Sequence, residues 1–521
     1  MTEFEGLIVV LLAAVILAAL ARKAGVPYPA FLALGGAVLA FLPGTPALAI
    51  EPRLALALFV APVLLDAAYD ASPRDLGENW VPLLNLAVVS VGLTTAAVAW
   101  VVHALVPAIP WAAAIALGAI VSPPDAAAAT AVLRHVRLPH RLLTILEGES
   151  LLNDASALLI YRVALVALAA NAFAIRSVAP AFLLAVVGSL VAGPLAAVLY
   201  LRMTRNVRDV PTAIILQFIG TFGIWILAER IGLSAILTMV SYAVTISRRA
   251  PAATPARLRI PSYAVWETVV FVLNVLAFAF IGLQIRPIVA GLDPRERVQY
   301  VVVAVAVLAT VILVRFAWAM TYYASARWRQ RSVGPSRRRR PGPSLGGVLI
   351  VSWCGMRGIV TLAAALALPL QLNGGPFPFR DLIVVTAFAV VLGTLVIQGL
   401  TLGPLLGVLN LEDDRMVERE VALARERVMQ AALATFGDDA SDAVRLVRQE
   451  FVTHVQRSIR SPGEMQEGDS DHDEIHRRAL AAARRTLLEL RESADIGDDA
   501  FHVLEEEFDW IEMGTIGRDD D

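Results

Sequence analysis

Polar and charged side chains interrupt an apolar, helix-length stretch at residues 146–162. Its ionisable residues are Glu147, Glu149, Asp154 and Arg162. At 100° per residue, Ser150 and Asp154 lie one above the other on a helix, while Glu149 and Asn153 form a neighbouring stripe. Oxygen atoms are the ligands that hard cations prefer, and a carboxylate taken out of water is more easily protonated. The stretch therefore predicts a helix that can bind a cation or a proton.

The composition places this helix in a membrane. Apolar residues make up 57% of the 521-residue chain and charged residues 17%, with a mean hydropathy of +0.67. Soluble domains carry roughly 45–50% apolar and about 25% charged residues, so a polytopic membrane protein is predicted. The first apolar run follows acidic residues and has no cleavage-site pattern, so we interpret it as a retained helix. The net charge of -2 gives no indication of nucleic-acid binding.

At about 20 residues per membrane crossing, the apolar segments predict about thirteen transmembrane helices. The segments lie near 5–22, 28–43, 54–71, 81–106, 111–133, 142–171, 178–201, 211–229, 232–247, 264–284, 299–325, 344–369 and 381–409. Arginines concentrate in alternate loops, for example at Arg134, Arg137 and the block 337–340. By the positive-inside rule these loops are cytoplasmic, which places the N-terminus outside and the C-terminus inside.

The composition changes near residue 411. We therefore divide the chain into a transmembrane domain at 1–410 and a cytosolic helical tail at 411–521. Helical patterns in the tail lie near 414–435, 439–457 and 474–493, and the three aspartates at its end are predicted to be disordered. A regulatory or assembly domain and a plain solvated appendage remain alternative interpretations of the tail.

The fifth apolar segment must break at the consecutive prolines of the sequence SerProProAsp, residues 122–125. Each proline removes an amide donor and clashes with the preceding turn. A broken helix exposes carbonyl oxygens from its first half and an N-terminus from its second, as discontinuous transporter helices do around an ion. Asp125 begins the second half, and we expect it to act both as an N-cap and as a cation ligand. A capping role alone is the alternative.

A second interrupted helix is predicted in the twelfth segment, where Gly355 and Gly358 flank Arg357 inside an apolar run. An offset of seven helices places the two interrupted segments in opposite orientations, as in an inverted repeat. Helix packing would explain the glycines but not the arginine. Because a carboxylate in lipid needs a cation, we predict a buried structural ion pair between Glu149 and Arg357. Asp154 has no such partner, which favours it as the exchangeable carboxylate.

The third segment adds Asp66 and Asp70, a turn or more after Pro62. A position at the cytoplasmic end of a helix is the structural alternative to a functional role, and we favour it for Asp70. Two other classes of function are disfavoured. A hydrolase would need motifs such as HisGluxxHis or Gly-x-Ser-x-Gly, which the sequence lacks. A passive channel would not need a titrating aspartate.

Taken together and in order, these segments resemble the monovalent cation:proton antiporters of the Na+/H+ exchanger type, in the bacterial branch with an Asn-Asp motif. The resemblance covers residues 1 to about 410. It rests on AlaProValLeuLeuAspAlaAlaTyr, SerProProAsp, GluGlyGluSerLeuLeuAsnAsp, TrpGluThrValValPheValLeuAsn with PheIleGlyLeuGln, and GlyMetArgGlyIleValThrLeu. Any one of these motifs alone would be weak, but the set is specific.

The resemblance implies roles for individual residues. Cation and proton compete for Asp154, and Na+ or K+ is held by Asp154, Asp125 and Ser150. The matching positions are completed by Asp66 and by Asn153 and Asn274 in supporting roles. One departure concerns Pro124, which stands where many relatives carry a threonine. Its backbone carbonyl can still bind an ion, but the preference for Na+ over K+ is left open.

The implied fold is all-α, with inverted repeats and two crossed broken helices in a core bundle that moves against a dimerisation bundle. The implied protein is no enzyme and needs no cofactor: a homodimer in the plasma membrane exchanges Na+, or Li+ and K+, for H+ in pH and cation homeostasis. Asparagine replaces the second aspartate of electrogenic relatives, which predicts electroneutral exchange. A K+/H+ antiporter of the same fold is the alternative.

Overall fold

The computed structural model describes residues 3–24, 27–42, 51–133, 138–170, 175–290, 296–333, 344–409, 411, 414–435 and 470–516. Nearly all of these residues are helical. The described part of the chain contains one small sheet, a hairpin of strands β1 (Gln371–Leu372) and β2 (Gly375–Pro376). Asn373 and Gly374 form its turn with positive φ angles of 52° and 82°. The all-α class predicted from the sequence is confirmed.

The helices follow one another in a simple order. The first half contains α1 (Glu3–Ala24), α2 (Tyr28–Leu39), α3 (Pro52–Ala55), α4 (Ala61–Asp70), α5 (Pro73–Glu78), α6 (Trp80–Leu84), α7 (Val91–Leu105), α8 (Trp111–Val121), α9 (Ala126–Leu133) and α10 (His140–Ala169). The second half contains α11 (Ile175–Thr204), α12 (Val210–Arg230), α13 (Ala235–Ala253), α14 (Ala256–Leu283), α15 (Ile285–Ala290), α16 (Arg297–Val333), α17 (Leu345–Trp353), α18 (Ile359–Leu366) and α19 (Arg380–Leu409). Short π-helical stretches, Leu56–Val60 and Asn85–Ser90, join α3 to α4 and α6 to α7.

Every apolar segment predicted from the sequence contains a helix. Seven helical stretches among the described residues are long and apolar enough to cross a membrane. They are Trp80–Leu105, His140–Ala169, Leu183–Thr204, Val210–Arg230, Ala256–Leu283, Arg297–Trp328 and Arg380–Leu409. The remaining segments hold shorter or interrupted helices, so the count of thirteen crossings stays a prediction.

Two large apolar clusters surround the interrupted segments. One joins α7, α8, α10, α16, α18 and α19, with Leu117 and Val390 fully buried. The other packs α2, α9, α14, α17 and α19 around Met356, which lies between α17 and α18. A third cluster joins α4 to α11, α12 and α13. Alanine is abundant in these clusters because a small side chain lets helix backbones approach closely.

The tail contributes three described helices, α20 (Met416–Ala434), α21 (Ser470–Glu492) and α22 (Asp498–Ile516). They share an apolar core that includes Val428, Leu487 and Phe501. The predicted tail helix near 439–457 and the acidic end of the chain lie outside the described residues, as do Arg134, Arg137 and the arginines at 337–340.

Candidate functional site

Both predicted interruptions are present, and they meet. The first separates α8 from α9 at residues 122–125, and the second separates α17 from α18 at residues 354–358. The backbone N–H of Asp125 donates a hydrogen bond to the carbonyl oxygen of Met356 over 2.7 Å. This bond satisfies one of the backbone groups that the interruptions leave without a helical partner. The prediction of two crossed broken helices is therefore confirmed.

The side chain of Asp125 lies directly against the second interruption. A Cβ atom added to Gly358 would lie only 1.5 Å from Asp125 Oδ2. Only a residue without a side chain allows this approach, which gives Gly358 a reason beyond general helix packing. The close contact fixes the carboxylate of Asp125 between the two broken helices.

Arg357 is fully buried and donates its side-chain hydrogen bonds to backbone carbonyl groups. Its Nε donates to Val121 O over 3.0 Å, Nη2 donates to Ser122 O over 3.2 Å, and Nη1 donates to Gly355 O. Val121 ends α8, and Gly355 follows the end of α17. Carbonyl groups at helix C-termini carry partial negative charge, so one guanidinium stabilises the ends of both first halves.

The predicted ion pair between Glu149 and Arg357 is wrong. Glu149 instead pairs with Arg315 of α16, whose Nη2 donates to Glu149 Oε2 over 2.9 Å and whose Nη1 donates to the other oxygen. Both side chains are almost fully buried. The physical reason is that the carbonyl groups of the interruptions occupy the guanidinium of Arg357. Sequence reasoning missed Arg315, although an arginine inside the apolar segment 299–325 was an available signal.

Asn153 connects α10 to the first interruption. Its Nδ2 donates to Pro124 O over 3.0 Å, and the side chain is fully buried. Its Oδ1 has no hydrogen-bond partner among the described residues. The next residue, Asp154, is buried on the same helix. The structure thus brings Asn153 and Pro124 together, with Asp154 and Asp125 as their neighbours in the chain.

For the other predicted site residues, the structure gives their positions and their burial. Ser150 lies half-buried on α10, one turn before Asp154, and Asn274 lies half-buried on α14. Asp66 and Asp70 line a cavity of about 190 Å³ between α4 and α11 to α14, and Asp154 is not among the residues that line it. The roles of Asp66, Ser150 and Asn274 stay predictions.

The family described as "Sodium/hydrogen exchanger, transmembrane" matches residues 9–408. The chain belongs to this family. A sodium, potassium, lithium and rubidium/H(+) antiporter of Bacillus pumilus is 30% identical over 499 residues, which cover 92% of this chain and 73% of the relative. An uncharacterised Na(+)/H(+) exchanger of Mycobacterium tuberculosis is 32% identical over 467 residues, covering 87% and 84% of the two chains.

The fold of this exchanger is similar to a solved structure. The sodium proton antiporter MjNhaP1 of Methanocaldococcus jannaschii matches with a TM-score of 0.59 and 16% identity, over 78% of this chain and 98% of that one. The resemblance predicted from the motifs is confirmed. This exchanger is a multi-pass membrane protein of a family of monovalent cation/proton antiporters, which are transporters.

Proposed function

We propose that this protein exchanges Na+ for H+ at Asp154, with one cation moved for each proton. The observation that carries the proposal is the link between the buried α10 and the crossed interruptions, made by Asn153 and Pro124 beside Asp154. Asp154 is a carboxylate next to a neutral amide, and Glu149 on the same helix is paired with Arg315, so Asp154 is the acid that can accept either ion. If the site must bind either Na+ or H+ before it moves across the membrane, the fluxes of the two ions are coupled.

The proposal includes a set of cation ligands. Oxygen atoms suit a hard monovalent cation, and Asp154, Asp125 and Ser150 supply them together with the backbone carbonyl of Pro124. Asp66 is proposed to take part from the neighbouring cavity, and Asn274 to support the site. Arg357 holds the ends of the two broken helices, and Glu149 with Arg315 holds α10 against α16. Neither arginine competes with the cation, since both are occupied by other partners.

Charge balance predicts electroneutral exchange. The occupied site carries the same net charge whether Asp154 binds one Na+ or one H+, so a full cycle moves no net charge. We place the protein in the plasma membrane as a homodimer with its tail in the cytosol, where it would serve pH and cation homeostasis. The positive-inside distribution of arginines supports this orientation.

K+/H+ exchange is the second candidate. It is favoured by the name of the Bacillus relative, which includes potassium, and by Pro124, which offers a carbonyl but no side-chain oxygen. A weaker and less constrained ligand set discriminates less between cations of different size.

Purified protein in proteoliposomes tests both candidates. A trapped pH-sensitive dye reports proton movement after Na+, K+ or Li+ is added, and a potential-sensitive dye reports net charge. We expect a Na+-driven pH change without a change in membrane potential. A larger response to K+ would select the alternative, a robust current would disprove electroneutral exchange, and no response to any cation would disprove the function.

A further inference from the structure

One buried side chain of α19 has polar atoms that the fold leaves without partners. Gln398 is fully buried, and neither its Oε1 nor its Nε2 has a hydrogen-bond partner among the described residues. Burying an amide without a hydrogen bond costs free energy. A leucine, as at the neighbouring buried positions Leu395 and Leu402, would avoid that cost. A buried polar group that lacks a protein partner is typically satisfied by an internal water molecule.

Helix geometry places Gln398 opposite the second interruption. Thr394, Gln398 and Thr401 lie on one stripe of α19, about one turn apart. Thr394 Oγ1 accepts a hydrogen bond from the backbone N–H of Arg357 over 3.0 Å. Thr401 Oγ1 accepts one from Trp353 Nε1 over 2.9 Å. The stripe therefore runs along the second interruption, and Gln398 lies between these two contacts.

Met356 gives an independent measure of this position. A Cβ atom added to Gly399, the next residue of α19, would lie 3.4 Å from Met356 Sδ. Met356 is only 1% exposed, and its backbone carbonyl accepts the hydrogen bond from Asp125 that joins the two broken helices. A molecule held by Gln398 against the interruption therefore lies beside the segment that positions Asp125.

The chemistry of the surrounding groups favours water over an ion. The amide of Gln398 offers both donor hydrogens and an acceptor oxygen, and the interruption adds backbone groups without helical partners. The three residues of the stripe are neutral, and a buried ion would need a counter-charge. The charged residue of the interruption is Arg357, which would repel a cation. Water donates and accepts, and it makes about three hydrogen bonds at such buried sites.

We propose that Gln398 binds a buried water molecule that bridges α19 to the backbone of the second interruption and so fixes the position of Asp125. Gln398 is therefore a positioning residue, because it acts through the interruption and does not touch the transported ion. A bridging water is nearly as favourable in enthalpy as a direct hydrogen bond, so it can replace the helical bonds that the interruption lacks. The consequence for Na+ rests on the proposed function, in which Asp125 is a cation ligand.

The bridging water determines the sign of a stability change. Replacing a bare buried amide with leucine removes an unsatisfied polar group, which raises the stability of the fold. Replacing an amide that holds a water removes a hydrogen-bond partner of that water and of the interruption behind it, which lowers the stability. The substitution Gln398→Leu therefore shifts the unfolding temperature in opposite directions in the two cases.

Radical labelling of the full-length protein in nanodiscs tests the water site directly. A short X-ray pulse generates hydroxyl radicals from water, and mass spectrometry locates the oxidised methionines. Met356 is closed off from solvent, so its oxidation requires a water molecule bound beside it. Met239, which is fully buried in the apolar cluster of α4 and α11 to α13, gives the background level.

The matched control for Gln398→Leu is Thr386→Val. Thr386 is also a fully buried residue of α19 whose hydroxyl has no partner among the described residues, but it lies about 18 Å away along the helix. We expect oxidation of Met356 above background in the wild type and in Thr386→Val, and at background in Gln398→Leu, which should also unfold at a lower temperature than the wild type. Background oxidation of Met356 in the wild type would overturn the water site even if Gln398→Leu fails to fold. Equal oxidation in the wild type and Gln398→Leu would overturn it too, as would a higher unfolding temperature of this variant.

Transport in proteoliposomes separates a positioning role from a general loss of folded protein. Gln398→Leu should raise the Na+ concentration that gives half-maximal exchange severalfold, because Asp125 is displaced, whereas Thr386→Val should leave it unchanged. A lower maximal rate with an unchanged Na+ dependence would overturn the positioning role. Exchange absent even from the wild type would overturn the proposed function, while the oxidation of Met356 would still decide whether Gln398 binds water.

Discussion

Arg315 donates to both carboxylate oxygens of Glu149 and so joins α16 to α10. The same guanidinium also donates from Nη2 to the carbonyl oxygen of Val351 in α17 over 2.8 Å. One side chain therefore joins α10, which carries the proposed ion site, to the long helix α16 and to the first half of a broken helix. Both charged groups of the buried Glu149–Arg315 pair are hydrogen-bonded, and a buried ion pair is tolerated only under this condition.

Substituting Arg315 with glutamine should strand the Glu149 carboxylate in a buried position. Removing one partner of a buried pair costs about 3–5 kcal/mol, so the detergent-solubilised protein should unfold at a clearly lower temperature. Arg327→Gln is the matched control, because Arg327 lies on the same helix and is exposed. The double variant with Glu149→Gln should recover part of the loss. Equal unfolding temperatures for Arg315→Gln and Arg327→Gln would contradict this prediction.

Gly358→Ala should disrupt the contact between the two broken helices. The new methyl group would lie 1.5 Å from Asp125 Oδ2, so either the carboxylate or the backbone must move. We expect transport to fall at least tenfold, because Asp125, a proposed cation ligand, is displaced, and we expect a lower unfolding temperature. Gly223→Ala is the control, since nothing lies within 4 Å of a Cβ at that position. Normal transport by Gly358→Ala would show that the contact does not set the site geometry.

The interruption of the fifth segment could be predicted from the sequence because its cause is local. Two consecutive prolines remove two amide donors and clash with the preceding turn wherever they occur. The pairing of Glu149 could not be predicted in the same way, since two buried arginines, Arg315 and Arg357, were available. The choice between them depends on which carbonyl groups the folded chain places beside each guanidinium.

The start of α14 and the contacts of the tail could also not be predicted from local sequence patterns. The apolar pattern predicted a segment at 264–284, whereas α14 begins at Ala256. Its first turn carries Arg257 and Arg259, which end the apolar pattern, and Arg259 contacts the tail. Composition predicted helices in the tail but not their partners. Arg259 and Asp509 are 250 positions apart, and such a contact leaves no local signal.

Arg357→Lys should retain the charge but lose the geometry. A lysine has one nitrogen and cannot donate along the fixed directions in which the guanidinium reaches Val121 O, Ser122 O and Gly355 O. We expect reduced expression and a lower unfolding temperature, with the order of cation preference unchanged in the protein that folds. Size-exclusion profiles and the dye assay measure the two effects. Wild-type stability with an altered cation preference would mean that Arg357 acts on the ion instead of the helix ends.

Asp154→Asn should abolish exchange without unfolding the protein. Asparagine has nearly the same shape but cannot take up and release a proton, so the proposed site loses its exchangeable carboxylate. Because a neutral amide is less costly to bury than a carboxylate, the unfolding temperature should stay equal or rise. Addition of Na+ should stabilise the wild type and leave Asp154→Asn unchanged, since ligand binding to the folded state raises its stability.

Glu147→Gln is the control, because Glu147 is an exposed carboxylate on the same helix, and this variant should transport normally. If Asp154→Asn retains substantial coupled exchange in proteoliposomes, the exchangeable group lies elsewhere, and Asp125 and Asp66 are the next carboxylates to substitute.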